Sequence, residues 1–120
     1  MGLNKRFKLK NASDYSLCFD RSKNKSFFNS QFVMLVVKNN CKTARLGFAI
    51  AKKNIKKATD RNLIKRIICE SFIHNVETLP NFDIVFLAQK ARTKNNKKQM
   101  RDDVEQLWQK LRQKYSKPLV

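Results

Sequence analysis

The sequence predicts a single α/β domain whose elements follow the order α-β-β-β-α-β-α. The chain has 120 residues, which is enough for one hydrophobic core and too few for two. The first half contains runs of β-branched and aromatic residues that are typical of strands. The second half alternates a segment of helical apolar spacing, an apolar run and a second helical segment. We therefore expect residues 1–120 to form one domain around a small mixed sheet.

The segment "NASDYSLCFDRS" predicts a short first helix. Asn11 or Ser13 can cap it, because either side chain can accept a hydrogen bond from a free N–H of the first turn. Tyr15, Cys18 and Phe19 then fall on one side of the helix at i, i+3 and i+4.

Three strands are expected next. "FFNSQFVMLVV" is rich in residues that favour strands and is interpreted as one or two strands, the second covering about residues 32–37. After the turn "KNNCKT", residues 44–51, "ARLGFAIA", alternate well enough to form another strand. Gly47 inside that strand indicates a bulge or a close approach of another part of the chain.

The second half predicts a helix, a strand and a last helix. The first of these helices begins near Thr59 or Asp60 and ends by Pro80 and Asn81. "FDIVFLAQK" is almost continuously apolar, as expected of a strand covered on both faces, and we expect it to lie parallel to "ARLGFAIA". The last helix carries apolar residues at core spacing: Met100, Val104, Leu107, Trp108, Leu111 and Tyr115.

The charge of the chain points to a polyanionic partner. There are 27 Lys and Arg residues against 9 acidic residues, which gives a formal net charge of +18. Such a charge destabilises a small compact chain unless a partner neutralises it, and solubility alone requires much less. A nucleic acid is the expected partner. A membrane surface is disfavoured, because no long basic amphipathic helix stands apart from the core segments.

The cysteines and the N-terminal segment indicate in which cellular compartment the protein is expected. Cys18, Cys41 and Cys69 are odd in number and far apart, so they predict neither a disulfide framework nor a zinc site. No apolar run is long enough to span a membrane, and "MGLNKRFKLK" does not resemble a signal peptide. We expect a cytoplasmic protein with no membrane partner.

The residue types that catalysis requires are not arranged for it. With only Gly2 and Gly47, the chain has no glycine-rich phosphate loop. His74 is the sole histidine and has no Ser or Cys placed as its nucleophile. The acidic cluster in "RDDVE" is interpreted as favouring the dipole of the last helix. We therefore expect no catalytic residue and no metal site in this chain.

One helix combines a core face with a cationic face. Around a helical wheel, five residues fall within an arc of roughly 140°: Arg61, Asn62, Lys65, Arg66 and Cys69. The opposite side carries Leu63, Ile64, Ile67, Ile68 and Ser71. Four lysines of the preceding loop continue the cationic face in sequence: Lys52, Lys53, Lys56 and Lys57. A dense cationic row beside the free N–H groups of a helix start is suited to phosphate contact.

This region resembles the signature of the bacterial ribonuclease P protein subunit. The resemblance lies in "RLGFAIAKKNIKKATDRNLIKRIICESF" and extends over nearly the whole chain. The matching positions are Lys52, Lys53, Ala58, Arg61, Asn62, Ile64, Lys65, Arg66, Glu70 and Phe72. Leu63 and Cys69 stand where the family commonly has arginine, and we expect the nearby cations to compensate.

The resemblance implies a two-layer α/β sandwich with a left-handed crossover. It also implies an endoribonuclease with a catalytic RNA subunit, which removes the 5′ leader from precursor tRNA with Mg2+ held mainly by that RNA. The protein then binds ribonuclease P RNA and precursor tRNA. The residues expected to contact the RNA subunit are Arg45, Lys52, Lys53, Lys56, Lys57, Arg61, Asn62, Lys65 and Arg66.

In that family, a cleft between the first helix and the sheet takes the single-stranded leader. The resemblance assigns Tyr15 and Phe19 to it, and stacking on aromatic rings is how proteins hold unpaired bases. Phe32 is a further candidate, although a core position is equally compatible with its sequence context. Lys52 and Arg66 serve either RNA.

Two other functions remain open at this point. A general RNA-binding or RNA-chaperone protein would also be small and basic, but would show no preference for a leader. A DNA-binding module would need a recognition helix free to enter a groove, whereas apolar residues anchor this helix between two strands. DNA is therefore not an expected partner.

Overall fold

The computed structural model describes residues 5–89 and 96–115. In chain order its helices and strands are α1 (Ala12–Phe19), β1 (Lys25–Phe28), β2 (Phe32–Lys38), β3 (Arg45–Phe48), α2 (Ala58–Asn75), β4 (Phe82–Ala88) and α3 (Lys97–Lys114). Short 3-10 turns cover Lys5–Phe7 and Val76–Thr78. The strand predicted over residues 44–51 is shorter than expected. Lys90, at the end of the last predicted strand, lies outside the described residues.

The four strands form one mixed sheet in the order β1-β2-β4-β3. β2 is antiparallel to both β1 and β4, whereas β3 is parallel to β4, with Gly47 opposite Val85. This confirms the predicted parallel pairing, which α2 connects as a crossover between neighbouring strands. The left-handedness of that crossover stays a prediction.

One face of the sheet packs against α2 and α3. The residues of β2 at even positions, Phe32, Met34 and Val36, have no exposed surface. The Trp108 ring of α3 lies 5.1 Å from the Phe86 ring of β4 and 5.9 Å from the Phe72 ring of α2. These contacts confirm the sandwich of helices and sheet, and the predicted core positions of α3 from Met100 to Leu111 are buried.

α1 covers part of the other face, so that helices lie on both sides of the sheet. Cys18 of α1 is fully buried beside Val85, and its thiol donates to the carbonyl of Asp83 at 3.7 Å. Tyr15 lies directly over Gly47, where a Cβ atom would approach the tyrosine Oη to 2.6 Å. The close approach predicted at this glycine is therefore confirmed.

Candidate RNA-binding surfaces

The crossing loop and the first turns of α2 present an exposed cationic surface. We call it the α2 cationic surface, and its members are Lys52, Lys53, Lys56, Lys57, Lys65 and Arg66. All six are exposed. None of them forms a salt bridge with a carboxylate in residues 5–89 or 96–115. Their charge is therefore available to an external anion.

The start of α2 adds backbone donors to this surface. The helix begins at Ala58, and the preceding Lys57 is extended, with φ −82° and ψ 131°. No side chain caps the first turn, so N–H groups at this end lack a capping acceptor. Anions are stabilised at such a position, and Asn62 is exposed one turn further along.

Arg61 is turned toward the loop that precedes it. Its Nη1 donates to the carbonyl of Ile55 at 2.8 Å and to the carbonyl of Lys56 at 2.9 Å. Asn54 ties the same loop to the sheet by donating to the carbonyl of Ala88 at 3.0 Å. The side chain of Ile55 is buried in the core. Arg61 thus holds the loop that carries the lysines.

The two residues that stand where the resemblance predicts arginine, Leu63 and Cys69, lie at the border of the α2 cationic surface. Leu63 and Cys69 are half-buried and pack against the main core. Burial raises the pKa of the Cys69 thiol. The apolar character of both side chains fits that position, while the cations of the α2 cationic surface lie on the side turned away from the core.

Arg45 does not join the α2 cationic surface, contrary to expectation. Its Nε and Nη2 donate to the two carboxylate oxygens of Asp83, each at 2.8 Å, and Nη2 lies 3.6 Å from Asp14. Asp83 is buried, and the hydrogen bond to it raises the pKa of Arg45 further. The arginine neutralises a buried carboxylate and links α1 to the sheet.

A second candidate surface lies between α1 and the sheet. Phe19 exposes 43% of its surface, and Tyr15, one turn earlier, is half-buried over Gly47. On the same face, the strand register places Phe28, Val33 and Leu87 side by side. We call these five residues (15, 19, 28, 33 and 87) the α1 cleft. Its rings and aliphatic groups suit the flat faces of unpaired bases.

Phe32 does not belong to the α1 cleft, so that prediction is wrong. It points to the opposite face of the sheet, has no exposed surface and packs its ring 6.2 Å from Phe86. Its neighbour Val33 occupies the α1 face instead. Successive residues of a strand point to opposite faces, so an error of one position moves the side chain to the wrong side.

Sequence reasoning missed Phe28, Val33 and Leu87. Phe28 exposes 62% of its surface, an unusual position for phenylalanine. The available signal was the alternation of β2, in which the buried positions share one parity. The β2 residues at the other positions, such as Val33, line the α1 cleft only because α1 lies on that face of the sheet, which the tertiary structure alone shows.

The thiols, the histidine and the possible metal ligands of the described residues are placed as follows. No group of three or more His, Cys, Asp or Glu side chains among them could hold a metal ion. Burial raises the pKa of the Cys18 thiol to about 12, which makes it a poor nucleophile at neutral pH. His74 is exposed on α2. Among the helices described, none is both long and apolar enough to cross a membrane.

Comparison with known proteins places the chain in a family. The ribonuclease P family model matches residues 3–112. The ribonuclease P protein component of Marinomonas sp. is 34% identical over 111 residues, which is 92% of this chain and 83% of the relative. That of Legionella pneumophila is 36% identical over 105 residues, 88% of this chain and 89% of the relative.

A solved structure of a related protein has a similar fold. The RNase P protein from Thermotoga maritima superposes with a TM-score of 0.71 at 32% identity, covering 86% of this chain and 96% of the other. The matches of sequence and fold cover most of each chain, and the residues matched by the family model include the cationic helix and the sheet. The chain therefore belongs to the bacterial ribonuclease P protein family.

Proposed function

We propose that this chain, as the protein subunit of ribonuclease P, binds the RNA subunit through the α2 cationic surface and the 5′ leader of precursor tRNA through the α1 cleft. Family membership supports the role of protein component and a part in tRNA processing. The observation that carries the RNA-binding part is the row of six exposed cations that runs from the crossing loop into α2 without acidic partners among the described residues.

The RNA subunit is contacted by phosphate-directed groups. Lysine and arginine side chains on this surface neutralise backbone phosphates and release counterions, which gives affinity without reading bases. Asn62 and the N–H groups at the start of α2 add hydrogen bonds to the same backbone. Arg61 acts on the loop and positions its lysines. Arg45 and Phe32 are left out of the proposed contacts, since one is neutralised and the other is buried.

The leader is held by stacking in the α1 cleft. An unpaired base on an exposed aromatic ring contributes about 1–3 kcal/mol, and this energy is available only when an unpaired leader is present. Phe19 and Phe28 offer the most exposed rings of the cleft. The leader thereby raises affinity for precursor tRNA over mature tRNA. Lys52 and Arg66 remain assigned to either RNA.

The chemical step belongs to the RNA subunit. Phosphate oxygens and water are the ligands that Mg2+ prefers, and a structured RNA supplies many of them. No group of three or more His, Cys, Asp or Glu side chains in the described part of this chain could hold a metal ion, and the buried Cys18 thiol is a poor nucleophile. The proposed enzyme is thus a cytoplasmic ribonucleoprotein endoribonuclease in which the protein binds and orients.

Reconstitution tests this division of labour. The purified, nuclease-treated chain is incubated with labelled precursor tRNA and Mg2+, with and without the RNA subunit transcribed in vitro. We expect cleavage at the 5′ end of the mature tRNA only when the RNA subunit is present. Cleavage by the chain after complete removal of RNA would overturn the proposal. Equal affinity for precursor and mature tRNA would instead indicate a general RNA-binding protein.

A further inference from the structure

Helix α1 is attached to the rest of the chain through a small hydrophobic cluster of its own. Of its eight residues, all within the described part of the chain, only Cys18 is buried. Cys18 packs with Leu9 and Val85, whereas the main core of the described structure, between the sheet and the helices α2 and α3, includes no side chain of α1. The main core therefore keeps its packing when α1 moves away from the sheet.

The polar contacts between α1 and the sheet are long. The Cys18 thiol, a weak donor, donates to the carbonyl of Asp83 at 3.7 Å. The carboxylate of Asp14 lies 3.6 Å from Nη2 of Arg45, and the exposed fractions of these two side chains are 19% and 22%. Because solvent screens such a sheltered pair less than a surface pair, the ion pair is the stronger of the two links.

Arg45 keeps its other partner when Asp14 moves away. Its guanidinium donates two hydrogen bonds of 2.8 Å to Asp83 within the sheet, and Asn39 donates to the same carboxylate at 2.8 Å. Since neither donor belongs to α1, separation of α1 leaves the buried Asp83 carboxylate paired. Breaking a buried charge network is costly when it leaves a charge without a partner, and here that cost does not arise.

The segments on either side of α1 are anchored by backbone hydrogen bonds. Leu9 is buried and donates its N–H to the carbonyl of Leu46 in β3 at 3.0 Å. After α1, the N–H of Ser22 donates to Oδ1 of Asp20 at 2.9 Å in a compact turn. Residues 10–11, which join Leu9 to α1, are exposed. Short connections of this kind can act as hinges, because they absorb changes of φ and ψ.

The α1 cleft has one wall on α1 and the other on the sheet. Tyr15 and Phe19 belong to α1, whereas Phe28, Val33 and Leu87 belong to strands. A base that stacks between both walls binds better when α1 lies on the sheet, and a ligand shifts a conformational equilibrium toward the form that it prefers. Leader binding and the docking of α1 are therefore linked, and each favours the other by the same factor.

From these observations we infer that α1 is a lid, which leaves the sheet as a unit while the main core stays folded, and that the ion pair between Asp14 and Arg45 is its latch. The leader of precursor tRNA holds the lid closed, a step that rests on the proposed function. Asp14 and Arg45 act through the position of α1, so they are positioning residues and not RNA contacts.

Cys18 reports on this motion. Its thiol is fully buried, so a maleimide reaches it only when α1 opens or the whole chain unfolds. Pulse labelling with peptide mass spectrometry gives its rate, and the half-buried Cys69 of α2 is the internal reference. Each rate is divided by that of the same variant unfolded in urea, which removes direct effects of a substitution on thiol reactivity. Fluorescence of Trp108, buried in the main core, measures global unfolding.

The first arm contains no RNA. In the parent chain, labelling of Cys18 should depend on urea much less than global unfolding does, since a local opening exposes less surface. Asp14→Asn should accelerate labelling at least about threefold, whereas Asp14→Glu, which retains the carboxylate, should stay within about twofold of the parent. Labelling that follows global unfolding at every urea concentration, or that Asp14→Asn leaves unchanged, would overturn the inference.

Two control variants separate the latch from other effects. Ser13→Asp combined with Asp14→Asn restores the charge of the first turn without the pair to Arg45, so this double variant should label as fast as Asp14→Asn. A return to the parent rate would show that the helix dipole holds α1, and the latch would be refuted. Ile64→Val trims the main core and lowers global stability. It should leave the Cys18 rate unchanged, and acceleration there would mean that the whole chain opens.

The second arm uses the assembled enzyme with saturating mature tRNA, or with a precursor analogue whose linkage at the cleavage site cannot be hydrolysed. The precursor should slow labelling of Cys18 at least about fivefold relative to mature tRNA, matching its advantage in affinity. Equal labelling together with a preference for the precursor would refute the lid alone. Equal labelling without that preference would also refute leader binding in the α1 cleft, and with it this part of the proposed function.

Discussion

The Nη1 of Arg61 donates to the carbonyl oxygen of Ile55 at 2.8 Å across the junction between the crossing loop and α2. Ile55 is buried, so this bond connects the helix to a loop residue that is itself anchored in the core. The lysines on either side, Lys53 and Lys56, are exposed. Arg61 therefore organises the cations around it, in addition to carrying charge.

Replacement of Arg61 should separate positioning from charge. Arg61→Lys keeps the cation but cannot reproduce the guanidinium contacts with two carbonyls. We expect the free energy of unfolding to fall by about 1 kcal/mol. Affinity for the RNA subunit should fall several-fold, while the slope of log affinity against log salt concentration (the salt slope) stays almost unchanged. Unfolding in denaturant and binding titrations at several salt concentrations measure both. Arg61→Gln removes the charge as well, and a slope lowered by about one in Arg61→Gln, with parent-like stability in Arg61→Lys, would instead identify Arg61 as a direct phosphate contact.

The two exposed cations of α2 should behave differently from Arg61. Lys65→Ala and Arg66→Ala each remove a charge and no described hydrogen bond or salt bridge. Affinity for the RNA subunit should fall, and the salt slope should drop by about 0.7–0.9 for each lost contact. Cys69→Arg, which adds a cation at the border, should shift both quantities in the opposite direction. Slopes that are identical in all variants would mean that this face is only solvated.

The α1 cleft predicts a selective defect. Phe19→Ala removes an exposed ring, so the assembled enzyme should lose about 1–3 kcal/mol of its preference for precursor over mature tRNA, with little change in affinity for the RNA subunit. Phe32→Ala is the matched control, because the same ring type is fully buried there. It should cost about 3–5 kcal/mol of unfolding free energy and weaken all RNA binding together. If Phe19→Ala also melted early and lost both RNAs equally, the leader role would fail.

Gly47 should be coupled to Tyr15. An alanine Cβ at position 47 would lie 2.6 Å from Oη and 2.8 Å from Cζ of Tyr15, so the ring must move. We expect Gly47→Ala to destabilise the fold by about 1–3 kcal/mol and to reduce the preference for precursor tRNA. Thermal unfolding of both single variants and the double variant forms a mutant cycle. In Tyr15→Ala, Gly47→Ala the clash is absent, so the double variant should be more stable than additivity predicts. Simple additivity would contradict the contact.

The sequence by itself determined the types and order of the elements, because apolar periodicity along one helix or strand is a local property. The division of α2 into a buried side at Ile64, Ile67 and Ile68 and a cationic side at Lys65 and Arg66 was predictable for the same reason. The composition was equally sufficient to indicate an anionic partner, and Gly47 to indicate a close approach.

Only the tertiary structure decided which side chains meet. Phe32 is buried and Val33 faces α1 because the position of α1 selects one face of β2. Arg45 is neutralised by Asp83, 38 residues away in sequence, because the parallel register of β3 and β4 sets them side by side. Whether a cation is free to bind RNA, and whether a side chain lines the α1 cleft, depend on these long-range pairings, which no local sequence pattern encodes.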